Sequence, residues 1–342
     1  MTSKRIFVTG ASGCIGHYLV EALIQETQHE LFLLVRNPDK LKIDVQARPG
    51  VTILQSDMRD IEQHRELLKT MNCAVLAATA WGGDDVQDIN ILRTLQLIRL
   101  LDPIVCEQVL YFSTASILAR DGQLLPEAID IGSDYVRSKY VCFEKLAQLQ
   151  SAPKIITLFP TFVLGGGELT GFGEANRYPS SHLSSGIADV VKWTNLIRFF
   201  RADGSFHFIH GRDIAQVVRH LIDHPLPESQ NVVLGNEKIT VNQAIADVCT
   251  YLNRRIYFQI PLLWLIDLFV VLFRIQIDAW ERFCLQYRHF TYENPISPAT
   301  FGLPNYCATM YDVLKLSGIS RPGKKFVIRN SKKIANDEQR LD

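Results

Sequence analysis

Short apolar runs alternate with amphipathic stretches along the first 160 residues of this 342-residue chain. The amphipathic stretches have apolar residues at helical spacing and predict helices at 14–27, 60–70, 86–101 and 135–150. The apolar runs predict strands buried on both faces, at 5–10, 30–36, 51–57, 73–80, 108–114 and 154–160. This alternation predicts an α/β fold of the Rossmann type, with a doubly wound parallel sheet between two layers of helices.

The pattern changes after Pro160. Residues 165–186 are rich in glycine and serine and predict long loops, whereas 205–223 predict a strand and a helix that return to the sheet. We therefore expect a main domain, a smaller and mainly C-terminal substrate-side domain, and a flexible charged tail. Their ranges are 1–164 with about 205–224, about 165–204 with 225–330, and 331–342.

Charge and cysteine content exclude some classes of function. Lys and Arg total 36 and Asp and Glu total 36, so we expect no nucleic-acid partner. The seven cysteines form no CxxC pair and no Cys/His cluster, which predicts no metal site and a reduced, cytoplasmic protein. The N-terminal segment runs directly into a predicted strand and lacks the apolar core of a signal peptide.

The most apolar segment, 261–273, is 13 residues long and contains Asp267. A helix that spans a membrane needs ~20 apolar residues. We therefore expect a buried or interfacial helix here, which leaves open peripheral membrane association or docking onto a larger complex.

Glycines at 10, 13 and 16 follow the first predicted strand and open the first predicted helix. Such a turn lets the backbone approach a pyrophosphate, and the helix N-terminus supplies N–H donors. The end of the second strand carries Arg36 and no acidic residue, which favours NADP(H) over NAD(H) because a base there can pair with the 2′-phosphate. Asp57, after the third strand, could accept from the adenine amino group or be a turn residue.

Four motifs in this order resemble the short-chain dehydrogenase/reductase superfamily, in its extended epimerase/dehydratase branch. They are VTGASGCIG at 8–16, Asp57, STAS at 113–116 and YVRSK at 135–139, and the likeness extends over about residues 4–223. The resemblance implies a dinucleotide site formed by Gly10, Ser12, Gly13, Cys14, Ile15, Gly16, Arg36, Asp57, Met58, Ala77, Ala78, Thr79 and Pro160.

The resemblance also implies catalytic roles. Tyr135 is the expected acid/base, and Lys139, one helical turn later, is expected to lower the pKa of Tyr135 and to bind the nicotinamide ribose. Thr114, with Ser113 and Ser116 as neighbours, is the expected orienting hydroxyl. Asn90 matches an asparagine that holds a water in the proton relay of many members.

Two departures narrow the activity. Sugar-nucleotide dehydratases carry an Asp-Glu pair after the threonine, where this chain has Ala115 and Ser116, so we expect no dehydratase activity. Phe159 stands before Pro160 where much of the extended branch has arginine, which changes the packing near the nicotinamide.

The substrate side is rich in apolar and aromatic residues, and it also carries bases that could bind a diphosphate. The bases are Arg177, Lys192, Arg198 and Arg201, and the aromatic residues are Phe162, Phe172, Trp193, Phe199, Phe200, Trp280 and Phe283. We expect an NADP(H)-dependent oxidoreductase acting on an alcohol or ketone of a bulky hydrophobic small molecule. A nucleotide-sugar epimerase and a dinucleotide-binding structural subunit or assembly factor are the alternatives. His210 is interpreted as a structural hydrogen-bonder, and helices 86–101 and 135–150 as a homodimer interface by analogy.

Overall fold

A seven-stranded parallel sheet forms the centre of the computed structural model, which describes residues 3–166, 178–192, 194–256, 259–261, 278–319 and 321. Its strands lie in the order β11-β6-β5-β4-β1-β2-β3. They are β1 (Arg5–Thr9), β2 (Glu30–Val35), β3 (Val51–Gln55), β4 (Cys73–Leu76), β5 (Gln108–Phe112), β6 (Ile155–Pro160) and β11 (Gln230–Leu234). The Rossmann-type prediction is confirmed.

Helices cover both faces of this sheet. The α-helices of the whole described part of the chain are α1 (Cys14–Glu26), α2 (Arg65–Leu68), α3 (Asp85–Gln87), α4 (Thr94–Leu100), α5 (Pro126–Asp130), α6 (Asp134–Ala147), α7 (His182–Lys192), α8 (Thr194–Ile197), α9 (Gly211–Asp223), α10 (Val241–Tyr251), α11 (Ala279–Tyr287) and α12 (Met310–Leu316). Single 3₁₀ turns occur at Pro38–Lys40, Ala115–Ile117 and Pro298–Phe301. Helices α1 and α9 pack together on one face, and α4 and α6 lie on the other.

The strands are apolar throughout because they bury both faces. In β1, Ile6 and Val8 belong to the core beneath α1 and α9, whereas Phe7 between them belongs to the core beneath α4 and α6. All three side chains have no exposed surface. Successive side chains of a strand point to opposite faces, so a strand between two helical layers reads as a continuous apolar run.

The strand order reverses between β1 and β4: β2 and β3 follow β1 on one side, and β5 and β6 follow β4 on the other. Strands β1 and β4 are neighbours, with Thr9 opposite Leu76. At such a reversal the loops that follow two adjacent strands turn to opposite faces of the sheet and open a crevice at the carboxyl ends. We therefore expect a ligand-binding site between the loops that follow β1 and β4.

The predicted helices correspond to the observed ones with two irregularities. The stretch 60–70 is a 3₁₀ segment, Met58–His64, followed by the single turn of α2. The stretch 86–101 is interrupted by a π-helical segment, Asp88–Arg93, between α3 and α4. Such π segments often mark functional positions in helices, and this one contains Asn90.

The boundary predicted after residue 224 does not match the topology. Strand β11 pairs with β6, with Leu234 opposite Pro160, so the main sheet takes a strand from the segment assigned to the smaller domain. The segment 205–223 returns only its helix, α9, to the main layers. Its strands β9 (Ser205–Phe206) and β10 (Phe208–His210) pair outside the central sheet.

The substrate side is built from short strands. A three-stranded sheet has the order β12-β9-β14, and two pairs join β10 with β7 and β13 with β8. The remaining strands are β7 (Phe162–Leu164), β8 (Phe200–Arg201), β12 (Ile239–Thr240), β13 (Ile260–Pro261) and β14 (His289–Phe290). Helices α10 and α12 pack on each other through a small core that includes Val248 and Leu314.

Several predictions fall outside the described residues: Phe172, Arg177, Trp193 and all of 261–273 except Pro261. Lys192 is described only as the end of α7, without its side chain. Within the part of the chain that is described, no helix combines the length and apolar character needed to cross a membrane.

Candidate active site

The glycine turn lies directly after β1 and is tightly packed against the loop that follows β4. Gly10 has φ 75°, and a Cβ atom there would lie 2.5 Å from the backbone of Ala77 and Ala78. Gly16, in the first turn of α1, would place a Cβ against the Gly10 carbonyl oxygen. Both positions therefore require glycine, one for its left-handed backbone and both for close approach.

Gly13 is different, because its outer side is open. It is the N-cap of α1, has an extended backbone and supplies no side-chain cap, and a Cβ there would meet only the Gly10 carbonyl oxygen, at 3.3 Å. An uncapped helix N-terminus with an open glycine in front of it fits a pyrophosphate, which supplies the acceptors that a capping side chain would otherwise provide. Ser12 lies in this turn and Cys14, Ile15 and Gly16 in the first helical turn, which agrees with their predicted positions.

The loop after β4 connects the glycine turn with the catalytic helix. Ala77 N donates to Thr9 O at 3.3 Å, and Ala78 N donates to Thr9 Oγ1 at 3.2 Å. Four residues after Ala77, the Trp81 indole stacks on the Tyr135 ring with 4.3 Å between ring centroids and 24° between planes. One short loop therefore contacts the glycine turn at one end and the predicted catalytic tyrosine at the other.

Three predicted catalytic residues meet at the carboxyl end of β5. Ser133 caps α6 by accepting from Val136 N, which sets Tyr135 in the first turn and Lys139 one turn later. The Lys139 ammonium is buried and donates to Phe112 O, the last residue of β5, at 2.8 Å. Thr114, two residues further, is close enough to Tyr135 to form a side-chain hydrogen bond that affects its pKa.

The pKa values differ from expectation. We expected the Lys139 ammonium to lower the pKa of Tyr135, but burial raises the pKa of Tyr135 to about 12, opposed only by the hydrogen bond from Thr114. Burial also lowers the pKa of Lys139 to about 8. The Lys139 Nζ lies 5.9 Å from the Tyr135 ring centroid and 5.1 Å from that of Tyr111. At neutral pH the unliganded chain therefore holds Tyr135 as a phenol.

Asn90 is completely buried, and its side chain is occupied by protein groups. Its Oδ1 accepts from Ala80 N at 2.8 Å and from Thr79 Oγ1 at 3.1 Å, and its Nδ2 donates to Ala80 O at 2.8 Å and to Ser138 Oγ at 2.9 Å. These four bonds use the full capacity of the amide. The amide joins the loop after β4 to α6. The water that we expected Asn90 to hold would have to replace one of these four bonds.

The ends of β2 and β3 bring Arg36 and Asp57 together. Their charged groups lie 3.7 Å apart, and the Arg36 side chain is 71% exposed. Asp57 caps the following 3₁₀ segment by accepting from Arg59 N at 2.9 Å, as the turn interpretation expects, and its contact with adenine stays a prediction. Met58, next in the chain, is buried.

Sequence reasoning missed Trp81 and Ser138. The available signal for Trp81 was a large aromatic residue directly before Gly82 and Gly83, at the end of the apolar run 73–80. Ser138 accepts from Asn90 and donates to Tyr135 O at 2.7 Å. No sequence pattern distinguishes it from an ordinary helix serine, because its role depends on Asn90, which reaches it from the π-helical segment Asp88–Arg93.

The residues present fit a bound dinucleotide. Besides the open glycine turn, Ser113 at the end of β5 has a buried Oγ that makes no hydrogen bond with any described residue, and buried polar groups are normally paired. Pro160, the last residue of β6, is buried at the same edge of the sheet. The dinucleotide contacts of all these residues stay predictions.

The histidine at 210 is buried between strands and helices. It caps α9 by accepting from Arg212 N at 3.1 Å, and its ring lies edge-on to Tyr18 with 5.2 Å between centroids. Asp213, also buried, accepts from Tyr306 N and Cys307 N and so ties the C-terminal segment to α9. Both residues have structural hydrogen-bond partners, as interpreted for His210.

Fold and site together define a dinucleotide-dependent enzyme of the extended short-chain dehydrogenase/reductase type. The sequence model of the NAD dependent epimerase/dehydratase family matches residues 6–235. The chain belongs to this family. It matches no curated protein sequence.

Solved structures share the fold at low identity. The Bordetella bronchiseptica enzyme WbmG in complex with NAD is 14% identical, with TM-score 0.63 over 93% of this chain and 94% of that chain. The dTDP-glucose 4,6-dehydratase of Bacillus anthracis in complex with NAD is 13% identical, with TM-score 0.59 over 93% and 96%. The UDP-N-acetylglucosamine 4-epimerase of Methanobrevibacter ruminantium M1 in complex with UDP-N-acetylmuramic acid is 18% identical, with TM-score 0.54 over 76% and 85%.

Proposed function

We propose that this protein catalyses hydride transfer between a nicotinamide dinucleotide and the carbon of an alcohol or ketone, with Tyr135 as the acid/base. The observation that carries the proposal is the meeting of Thr114, Tyr135 and Lys139 at the end of β5, joined to the glycine turn by the loop at 77–81. A Tyr and a Lys four residues apart on a helix do not by themselves indicate a function, but here Lys139 contacts the last residue of β5 and Tyr135 contacts Thr114 just after it.

When bound, the nicotinamide supplies or accepts the hydride. In the reductive direction the carbonyl carbon receives that hydride while the Tyr135 hydroxyl donates its proton to the carbonyl oxygen, and the phenolate is reprotonated from solvent. The Thr114 hydroxyl donates to the same oxygen and orients it. The raised pKa of Tyr135 keeps this proton in place at neutral pH until substrate arrives.

The oxidative direction needs a phenolate, so something must lower the pKa of Tyr135. Lys139 cannot do this from its position in the unliganded chain, since burial alone sets the direction of the shift. We propose that the positive charge of the oxidised nicotinamide, added to that of Lys139, stabilises the phenolate.

NADP(H) is the proposed cofactor. Arg36 supports this, because it is exposed at the end of β2, where a base can pair with a 2′-phosphate. Its 3.7 Å separation from Asp57 is long for a strong ion pair, so the guanidinium keeps donors for a second anion. Two of the structures described above were solved with NAD, and titration of this protein with NADPH and NADH distinguishes the two cofactors.

A hydrophobic substrate is supported by an aromatic row on the substrate side. Phe162, two residues after Pro160, is 37% exposed and packs against Phe206 and Phe290 with centroid distances of 5.5 and 5.9 Å. The row continues through contacting rings in β14 and α11, namely Phe290, Tyr287, Phe283 and Trp280. Tyr135 packs against the same small core as Tyr287.

A nucleotide-sugar epimerase is the second candidate, supported by the family and by the fold likeness to a UDP-N-acetylglucosamine 4-epimerase. The same Tyr135 would remove a proton from a sugar hydroxyl and return it after the hydride is restored to the opposite face. No net change of the cofactor would occur. Dehydration is not proposed, since Ala115 and Ser116 supply neither the acid nor the base for loss of water.

The homodimer also stays a proposal. Leu92, in the π-helical segment before α4, is 60% exposed, which supports contact through the helices at 86–101 and 135–150. Sedimentation of Leu92→Glu against the unmodified chain tests it.

The test of function follows NADPH oxidation with acetophenone and 2-octanone, and product chromatography after incubation with UDP-glucose and NAD⁺. Net NADPH consumption supports the reductase, and an epimerised sugar without net cofactor change supports the epimerase. Tyr135→Phe should reduce either activity by about 10³-fold while leaving NADPH affinity within about three-fold. Tyr140→Phe, on the same helix, is the matched control and should keep activity. Normal turnover by Tyr135→Phe would overturn the proposal.

A further inference from the structure

Trp81 stands out among the exposed apolar side chains because it lies against the predicted acid/base. Its indole is 66% exposed and stacks on Tyr135 at 4.3 Å between centroids. A tryptophan gains most by burying its whole ring system. Here the stack with Tyr135 covers only part of the indole, and the remaining surface is available beside the reacting hydroxyl.

The backbone that carries Trp81 is held in place. Asn90 Oδ1 accepts from Ala80 N and Asn90 Nδ2 donates to Ala80 O, both at 2.8 Å, so the residue before Trp81 is clamped on both of its backbone groups. The same amide donates to Ser138, which donates to Tyr135 O. The indole and the phenol are therefore positioned by one hydrogen-bonded unit, built from two different elements.

The chain is open on the other side of Trp81. Gly82 and Gly83 follow, Gly83 has φ 79°, and a Cβ at either position would meet no atom of a described residue within 4 Å. These open positions and the 66% exposure of Trp81 leave most of the indole uncovered by the part of the chain that the structure describes. A wall of side chains would instead be expected if Trp81 only completed the core.

We propose that Trp81 is a specificity-determining residue whose indole packs on a ring of the substrate next to the carbon that reacts. The inference rests on the proposed function and deepens it by naming the substrate class. A flat indole favours an aromatic ring or the C–H face of a saturated ring, and it gives a flexible linear chain less contact for the same carbon count. The ring could be that of an aryl ketone or the pyranose of a nucleotide sugar.

The test compares ring-containing probes with a linear one. Acetophenone and 2-octanone are both methyl ketones with eight carbons, and UDP-glucose tests the pyranose source. Binding is measured by saturation-transfer NMR on the NADPH complex for the ketones and on the NAD⁺ complex for UDP-glucose, and turnover is measured where it occurs. We expect Trp81→Ala to weaken acetophenone or UDP-glucose about ten-fold and 2-octanone less than about three-fold. Trp81→Phe should restore most of the loss.

Ile104→Ala is the control, since Ile104 is 93% exposed and precedes β5 at the opposite, amino end of the sheet. It should leave binding of every probe unchanged. If Trp81 only covers Tyr135, Trp81→Ala changes kcat and its pH profile equally for all substrates, and the proposal is wrong. It is also wrong if the unmodified protein binds no ring probe, or binds 2-octanone equally well.

The two hypotheses fail in different ways. Binding of a ring probe that depends on Trp81, without any turnover, overturns the proposed hydride transfer and leaves the role of Trp81 standing. Turnover that depends on Tyr135 but does not change in Trp81→Ala supports the proposed hydride transfer and overturns the role proposed for Trp81.

Discussion

The cofactor side and the substrate side of this protein are built by different means. On the cofactor side, parallel strands of four to six residues bury side chains such as Phe7 and Val8 completely between two helical layers. On the substrate side, β8, β9, β12, β13 and β14 are two residues long, and α11 contains no buried residue. The cofactor side is held by hydrogen bonds between paired strands, whereas the substrate side exposes part of its aromatic side chains.

This difference fits the two parts of the proposed reaction. NAD and NADP differ only by a 2′-phosphate, so a site made from backbone turns and strand ends can be kept rigid. The substrate differs between members of a family, and a surface made of side chains can change without disturbing the hydrogen bonds between the strands that carry it. The tyrosine and lysine of α6 stand where these two kinds of construction meet.

Two phenylalanines three residues apart allow a direct comparison of the cofactor side with the substrate side. Phe159 in β6 has no exposed surface and packs edge-on to Phe143 at 5.4 Å, whereas Phe162 in β7 is 37% exposed. We expect Phe159→Ala to lower the free energy of unfolding by about 3–5 kcal/mol and Phe162→Ala by about 1 kcal/mol. Phe162→Ala should instead raise the KM for acetophenone. Urea unfolding and steady-state kinetics check both, and equal stability losses would erase the distinction.

Two glycines with similar positive φ angles allow the cost of the backbone conformation to be distinguished from the cost of a steric clash. Gly10 has φ 75° and packs against backbone, while Gly122 has φ 79° and no atom of a described residue within 4 Å of an added Cβ. We expect Gly122→Ala to cost about 1 kcal/mol of stability and Gly10→Ala about 2–4 kcal/mol, since the second also forces the loop at 77–78 to move. NADPH binding should be lost only in Gly10→Ala. Equal effects in urea unfolding and NADPH titration would argue against the packed turn.

The buried lysine makes stability depend on pH. Its pKa is lowered to about 8 from an ordinary 10.5, so between pH 8 and 10.5 the unfolded chain binds more protons and stability rises with pH. Below pH 8 the buried charge costs about 3 kcal/mol. Lys139→Met removes that cost but also the bond to Phe112 O, worth roughly 1 kcal/mol.

We therefore expect Lys139→Met to be about 2 kcal/mol more stable than the unmodified protein at pH 7, and this gap to close by pH 10. Tyr135 is present in both proteins, so its own titration cancels. Thermal unfolding from pH 6 to 10 measures the difference. A gap that is constant with pH would show that Lys139 is not charged in the folded state at pH 7.

The smallest expected effect concerns the edge of the cofactor side. Arg36→Ala should weaken NADPH about ten-fold and leave NADH within about three-fold, because only the 2′-phosphate contact is lost. Arg65→Ala, an exposed arginine paired with Glu62 three residues earlier, is the matched control and should change neither affinity. Equal affinities for the two cofactors in the unmodified protein would refute the NADP preference.

Sequence patterns predicted the cofactor side well because each of its features is local. The apolar runs located six of the seven strands of the main sheet, and the glycines at 10, 13 and 16 lie where strand meets helix. Strand β11 was missed because a short segment, QNVVL, acquires its place only by pairing with β6, more than 70 residues earlier. Its composition resembles that of any exposed strand.

The amino-acid sequence by itself determined the layered fold, the glycine turn and the helical spacing of Tyr135 and Lys139, since these depend on periodicity and on glycine at neighbouring positions. Tertiary structure alone decided the burial that raises the pKa of Tyr135, the closure of the Asn90 amide on Ala80 and Ser138, and the stacking of Trp81 on Tyr135. Each of these joins segments far apart in the chain, and solvent exclusion and ring contact exist only once those segments have packed together.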